Sequence, residues 1–424
     1  MRAILLSIGD ELVLGQTVDT NSAWLSQQLA AVGCGVAAHL TVPDDQRAIE
    51  QAIEESVGRC DVLIISGGIG PTEDDLTRQA LAAVMRQPLE PDDAWLAELH
   101  RFFEARGRTM PETNRIQAMI PRGAAMIFNT AGTAAGIDAT YRSGDQKTVC
   151  RVFVLPGVPK EMKLMFTRDV LPHVRQQGGG AAILSRTLHT FGLGESAVAE
   201  KLGDLMRRDR NPSVGTTVTG GVVSLRVNAR FDSMQRAGDE LDRTVRACHD
   251  ALGDLIYGRD DQTLQGWLVE RLRTSTPPET VATAESCTGG LLAKMITDIP
   301  GSSAVYRQGW VTYSNESKTE LLGVPAGLIE QFGAVSEAVV KVMANSARAR
   351  ARSDYALAVS GVAGPDGGTP EKPVGTVCIA LADTRDVATR TFNFPGDREM
   401  IRDRSAKMAL TMLRYQLLGR KMPF

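Results

Sequence analysis

"DVLIISGG", residues 61–68, is the stretch whose reading decides the fold. Its apolar core, Val62 to Ile65, is short and β-branched and stops at a serine and two glycines. A strand apolar on both faces is covered on both sides, as strands of a parallel sheet are. "RVFVLPGVP" at 151–159 repeats the design, with an apolar strand, a Gly/Pro turn and then a helix at 160–167. Upstream lie a strand at 2–8, a helix from Asn21 that ends at the C-cap glycine Gly33, a strand near 36–42 and a helix near 45–57. The spacing predicts an α/β fold with ligands at the carboxyl ends of the strands.

The same alternation returns near the end of the chain. Helix 262–273, strand 280–284, helix 289–297, strand 304–313, helix 336–350, strand 354–360, strands near 375–382 and 386–394 and a helix from about 397 form a second α/β domain. Between the two, "SRTLHTFGLG", a helix at 195–208, "GVVSLRVNARF" and a helix at 234–252 read as a small α+β module. "RQQGGGAA" at 175–182 reads as a flexible joint. The predicted domains are 1–172, 173–257 and 258–424.

Composition narrows the function classes. With 424 residues, 43% hydrophobic and 23% charged, the chain has the make-up of an ordinary soluble enzyme. A net charge of −3 gives no reason to expect nucleic acid or an anionic membrane as partner, and "MRRDR" at 206–210 reads as a solvated helix end. No run approaches the roughly 20 apolar residues of a membrane span, and "MRAILLSIGDELVLG" reads as a buried first strand and not a signal peptide. The six cysteines form no C-x-x-C pair, which points to reduced thiols and a cytoplasmic location.

The chemistry begins at "ATAESCTGGLL", residues 282–292, where a strand meets a helix through Ser286 and Cys287. A hydroxyl there sits among free amides at a helix N-terminus, which suits a nucleophile; Ser286 or Thr288 as a simple N-cap is the other reading. Cys287 alternatively packs as a small hydrophobe. The five histidines end at His249, so this domain has none of its own, and a proton from Ser286 must go to Lys, Tyr, Asp or Glu. "TYSNESK" offers Lys318 and Tyr313, although a lysine there also reads as a surface residue. The glycine-rich loop at 360–377, with Gly361, Gly364, Gly367 and Gly368, suits an anion, as do Arg398 and Arg402 one helical turn apart. Together these features suggest hydrolysis of a phosphorylated small molecule.

"TAESCTGGLLA", "GSSAVY", "GAVSEAV", "SGVAGPDGGTPEKPVGTV" and "FPGDRE" resemble the C-terminal domain of the CinA family. That resemblance implies a nicotinamide mononucleotide (NMN) deamidase, a serine amidohydrolase with Ser286 as nucleophile, Lys318 as base and Tyr313 nearby. It implies an oxyanion held by the amides of Cys287, Thr288, Gly289 and Gly290, and a 5′-phosphate held by the loop amides and Arg398 or Arg402. No cofactor is expected at that site.

The first domain carries "SGGIGPTEDDLT" at 66–77, whose glycines allow close backbone approach and whose helix N-terminus attracts phosphate. Glu73, Asp74 and Asp75 read as acids favoured by the helix dipole; in the other reading Asp74 or Asp75 holds a divalent metal that bridges to a phosphate. This sequence, with "GDELVLGQTVDTNSAWLS", "MPETNRIQAMIP" and "VLPGVPKEM", resembles the molybdopterin-binding-like (MoaB/MogA-like) domain that opens CinA proteins. The resemblance implies an ADP-ribose pyrophosphatase with Mg, Mn or Co held by Asp74, Asp75 and Glu11. Gly67, Gly68, Gly70, Thr72 and Asn21 are then the substrate contacts. The alternative is a domain that only binds a nucleotide or pterin, or that serves a competence-related interaction. "FNTAGTAAGI" at 128–137 lacks the proline pairs usual in that loop. The middle segment resembles the family's KH-type module, without a G-x-x-G clamp for RNA. A homodimer is expected.

Overall fold

The alternation of the apolar strands dictates a layered architecture, and the computed structural model, which describes residues 1–143, 149–177 and 182–424, has it. The chain divides into two compact units, Met1–Leu184 with Asn228–Leu241, and Ser185–Val227 with Asp242–Phe424. Of the joint expected at 175–182, residues 178–181 lie outside the described residues, while 175–177 end the helix Leu171–Gln177 and Ala182 opens the strand Ala182–Phe191.

In the first unit a six-stranded sheet runs in the order Gly35–Val42, Arg2–Ile8, Val62–Ser66, Val149–Leu155, Gly136–Arg142, Ala125–Ile127. The first four strands are parallel and the last two are added antiparallel. Successive side chains go to opposite faces. Ile4, Leu6, Leu63, Ile65, Val152 and Val154 meet helices Gln46–Val57 and Thr77–Met85. Leu5, Val62, Ile64 and Phe153 meet Thr20–Ala31 and Phe166–Val170. Two covered faces are the physical reason "VLIIS" has no polar alternation.

The second unit carries a five-stranded sheet in the order Tyr306–Val311, Val281–Glu285, Tyr355–Gly361, Thr376–Ala382, Val387–Asn393. Its first three strands are parallel and its last two antiparallel. The faces differ in bulk. Val281, Leu357, Val359, Val377, Ile379 and Leu381 pack under helices Leu264–Arg273, Leu291–Thr297 and Arg398–Leu417. Ala282, Ala284, Ala356, Ala358, Ala380 and Ala382 line the other face, where small side chains admit the helix Glu337–Ala351. The middle module's sheet runs Ser213–Thr219, Val222–Phe231, Ala182–Phe191, Ile256–Arg259.

Several boundaries differ from the sequence expectation. The helix expected from 289 opens at Leu291, because Gly289 and Gly290 take φ of 58° and 92°, outside the helical region. The helix expected over 195–208 ends at Leu202, before Gly203 with φ 51°. The strand expected over 304–313 ends at Val311, which releases Thr312–Ser314 to form a turn. Among the described residues no helix is long and apolar enough to cross a membrane.

Candidate active site and a second cleft

Ser286 lies directly after the buried strand Val281–Glu285, and its amide donates to Val359 O at 2.9 Å, fixing the turn to the neighbouring strand. Its hydroxyl does not cap the following helix. That role belongs to Glu285, a fully buried carboxylate that accepts from the amides of Gly290, Leu292 and Ala293 at 3.0, 3.0 and 2.8 Å. The N-cap reading of Ser286 and Thr288 is thereby corrected: the cap comes from the strand end. A carboxylate is the stronger acceptor for the positive end of the helix. With the cap supplied by Glu285, Ser286 Oγ is left to another partner.

That partner is Lys318. The helix Asn315–Leu322 starts at the N-cap Ser314, and one turn in, the Lys318 side chain turns inward, only 1% exposed. Its Nζ lies 3.1 Å from Ser286 Oγ and donates to Thr312 O at 2.9 Å and Ser314 O at 3.4 Å. Burial pulls its pKa below the ordinary lysine value, opposed in part by the charge of Glu316. In the neutral amine, the two carbonyls take the two N–H groups and the lone pair faces the serine hydroxyl. The surface-lysine reading is therefore corrected. Cys287 is 5% exposed in the apolar core, and burial pushes its thiol up to about 12. A neutral, core-packed thiol is no nucleophile.

The amides of the turn are not all free. Gly289 N donates to Ser286 O and Gly290 N to Glu285, which removes both from the expected oxyanion set and leaves those of Cys287 and Thr288. Thr288 Oγ1 and Thr312 Oγ1, both between Ser286 and Lys318 in sequence, are buried without a partner among the described residues. Arg402 is also reassigned. Its Nε and Nη2 donate to Cys287 O and Thr288 O at 3.1 and 2.7 Å, so it braces the nucleophile turn from behind.

Arg398, one turn earlier and exposed, donates to Gly364 O at 2.8 Å and to the Tyr313 hydroxyl at 2.7 Å. It thus links the glycine-rich loop to Tyr313, whose side chain is 58% exposed. Of the loop glycines, Gly361 ends a paired strand, where a Cβ would meet Thr376 O at 2.9 Å, and a Cβ on Gly368 would meet Val374 N at 2.9 Å. These two serve close packing, not a cradle. Gly364, buried, and Gly367, exposed, have φ of 75° and 86° and turn the loop where other residues would be strained.

Glu285 was not legible as a functional residue, because an acid ending an apolar strand looks like the start of a loop. Glu285→Ala is expected to lower stability by about 3 kcal/mol, since three amides lose a charged acceptor. Glu285→Gln, which keeps an acceptor oxygen, is expected to lose about half as much. Urea unfolding followed by circular dichroism measures both.

The first unit has its own cleft, about 340 Å³, lined by Gly67, Gly68, Gly70, Thr72, Glu11, Asp44 and Asp74 among others. Gly67 is required there: with φ 110°, a Cβ would stand 2.3 Å from Ile8 O. Asp75 is spent within the turn. Its carboxylate accepts from Gly70 N at 2.6 Å, from Thr72 N at 2.9 Å and from the Thr72 hydroxyl. The helix begins only at Thr77, so Glu73, Asp74 and Asp75 precede it and are not its first turn. Arg78, completely buried, donates to Gly70 O and Ile69 O and holds the turn from below.

Asn21 donates to Gly157 O at 2.8 Å and Ser66 Oγ at 3.2 Å, while its Oδ1 is buried without a partner among the described residues. The 128–137 loop keeps its shape without prolines: Asn129 accepts from the amides of Ala131 and Gly132 and donates to Glu161. Asp44, missed in the sequence, has its carboxyl pushed up by burial and by Asp10, Glu11 and Asp74. Among the described residues no three His, Cys, Asp or Glu side chains converge on a metal position. Glu11, Asp44 and Asp74 line the cleft. Such a set fits an ion carried in by a diphosphate, which keeps waters and few protein ligands, and not a resident cage.

Comparison with known proteins finds three family matches in order along the chain. Residues 4–176 match the "Probable molybdopterin binding domain" model, 185–258 the "Damage-inducible protein CinA KH domain" and 261–417 the "CinA C-terminal domain". A "Putative competence-damage inducible protein" of Symbiobacterium thermophilum is 43% identical over 99% of both chains. A "CinA-like protein" of Geobacter sulfurreducens is 40% identical over 99% of this chain and 100% of that one. Among solved structures, the competence/damage inducible protein CihA from Agrobacterium tumefaciens is 40% identical with a TM-score of 0.35, covering 37% of this chain and 97% of that one. With full-length relatives at this identity, and with three family models in order along it, the chain belongs to the CinA family.

Proposed function

We propose that the second unit is an amidohydrolase that converts NMN to nicotinic acid mononucleotide and ammonia. The observation that carries this reading is the buried Lys318 Nζ at 3.1 Å from Ser286 Oγ, in a domain without histidine. Lys318 takes the hydroxyl proton as Ser286 Oγ bonds to the carboxamide carbon. The oxyanion forms against the amides of Cys287 and Thr288. The C–N bond breaks as Lys318 returns the proton to the leaving nitrogen, so ammonia departs and an ester remains on Ser286. Water, deprotonated by the same lysine, cleaves the ester and frees the carboxylate product. Exposed Arg398 is the cation available for a 5′-phosphate, at the expense of its contacts to Tyr313 and Gly364. Ammonia release from NMN, compared with free nicotinamide, tests the reading. The nucleotide is expected to be hydrolysed and the unphosphorylated amide to react at least about tenfold more slowly.

For the first cleft the same family reading is ADP-ribose hydrolysis to AMP and ribose 5-phosphate. The glycine turn lining the cleft supports a nucleotide there. Glu11 and Asp74 would hold a divalent ion brought by the diphosphate, which would supply charge neutralisation for the leaving phosphate. Glu11→Ala and Asp74→Ala are expected to cut AMP formation with added Mg, Mn or Co by at least about tenfold and leave deamidation unchanged. Nucleotide binding without AMP formation in the wild type would favour a purely binding domain.

A further inference from the structure

Neither proposed activity uses the thiols of Cys60 and Cys150. Cys60 directly precedes the strand Val62–Ser66 at Asp61, and Cys150 lies at the start of Val149–Leu155, its parallel neighbour. Arg151 N donates to Asp61 O at 2.9 Å, so the two chains are hydrogen-bonded where the thiols stand. The sulfurs are 3.7 Å apart. Cys150 is fully buried, and Cys60, buried but 7% exposed, lines an open pocket with Arg2, Arg59 and Asp61. The contact with Cys150 pulls the Cys60 thiol below its usual pKa against the effect of burial, and raises that of Cys150. Cys60 is therefore the sulfur nearer to solvent and the more readily ionised, and Cys150 lies behind it. That is the arrangement of an attacking and a resolving thiol.

We propose that Cys60 and Cys150 are a reversible oxidation site, which a peroxide or a small-molecule disulfide converts to one intramolecular disulfide. With hydrogen peroxide, the Cys60 sulfur bonds to one oxygen, the O–O bond breaks, and a sulfenic acid and water result. The Cys150 sulfur then attacks the Cys60 sulfur, the S–O bond breaks, and a second water leaves with the Cys150 proton. Two thiols and one peroxide become one disulfide and two waters; each sulfur gives up one electron and the peroxide takes two. The two strands so joined end, at their other ends, in the Gly67 and Gly157 turns of the first cleft. Oxidation thus staples the centre of that sheet.

The test uses the reduced full-length protein treated with hydrogen peroxide or with oxidised glutathione, then acid-quenched, unfolded, alkylated and mapped by non-reducing mass spectrometry. The expected result is a peptide linked through Cys60 and Cys150, two hydrogens lighter than the reduced pair and lost on reduction with dithiothreitol. Because the loop closed is long, the oxidised protein is also expected to melt several degrees higher. Cys60→Ser and Cys150→Ser should each abolish both effects. Alkylation of both thiols after a treatment that oxidises a dithiol peptide in the same tube would overturn the proposal. So would a Cys60–Cys34 link, a Cys60 glutathione adduct that never resolves, or a melting rise that persists in Cys150→Ser.

Discussion

Replacing Ser286 by alanine is expected to abolish NMN deamidation, lowering kcat by at least about 10,000-fold. In the proposed reaction the hydroxyl oxygen is the atom that bonds to carbon, and its neighbours leave no substitute. Cys287, beside it, is turned into the core with its thiol held up to about 12. No histidine of this domain exists to activate a water in its place. Stability is expected to change by less than about 1 kcal/mol, since the turn is held by Ser286 N to Val359 O, by Glu285 and by Arg402, none of which involves Ser286 Oγ. Substrate binding should survive, so KM and folding are the controls. A variant that kept a tenth of wild-type turnover would remove Ser286 from the reaction.

Lys318→Met separates chemistry from fold in a different way. Deamidation is expected to fall roughly 1,000-fold, because proton transfer to and from Ser286 and the leaving nitrogen is lost. Lys318→Arg should fall as far, since a guanidinium stays charged at any usable pH. Stability should change by less than about 2 kcal/mol, as the methionine removes both a buried amine and its contacts to Thr312 O and Ser314 O. The pH dependence has a definite sign. Burial lowers the pKa of Lys318 in the folded state, so between that value and the unfolded value the unfolded chain binds more protons. Wild-type stability therefore rises with pH across that window, and the burial penalty is full below it. The stability of Lys318→Met relative to wild type should be most favourable below the window and decline as pH rises through it. Wild-type kcat, in contrast, should rise through the lowered lysine pKa and then level off. Chemical denaturation and initial rates at matched pH read both curves.

What the sequence discloses here depends on whether a feature is local. Apolar runs such as "VLIIS" determine strands because both faces are covered, and glycine turns at their ends mark the cleft side of each sheet. Ser286 and Lys318 were legible through a missing residue type, histidine, together with family motifs. The partners that position them were not. The spacing of Arg398 and Arg402 correctly places both on one helix face, but spacing does not say what that face meets. Arg402 meets two backbone carbonyls, and only Arg398 stays exposed. Likewise "PTEDDL" reads as a run of helix-start acids, yet Asp75 folds back on Gly70 and Thr72, and the helix waits until Thr77. Glu285, Arg78 and Asp44 were missed for one reason. Each acts on a group that spacing does not disclose: backbone across the adjoining turn for Glu285 and Arg78, and charges from other segments for Asp44.

The most direct measurement is the covalent intermediate itself. Full-length protein mixed with NMN, quenched in acid within the first turnover and digested, should yield the Ser286 peptide carrying the nucleotide acyl group, heavier than the free peptide by NMN less ammonia. The ester should be absent from Ser286→Ala and from Lys318→Met at the same quench time. Ammonia release at full rate with the Ser286 peptide unmodified throughout, or with the acyl group on another residue, would contradict the assignment of Ser286 as the nucleophile that Lys318 activates.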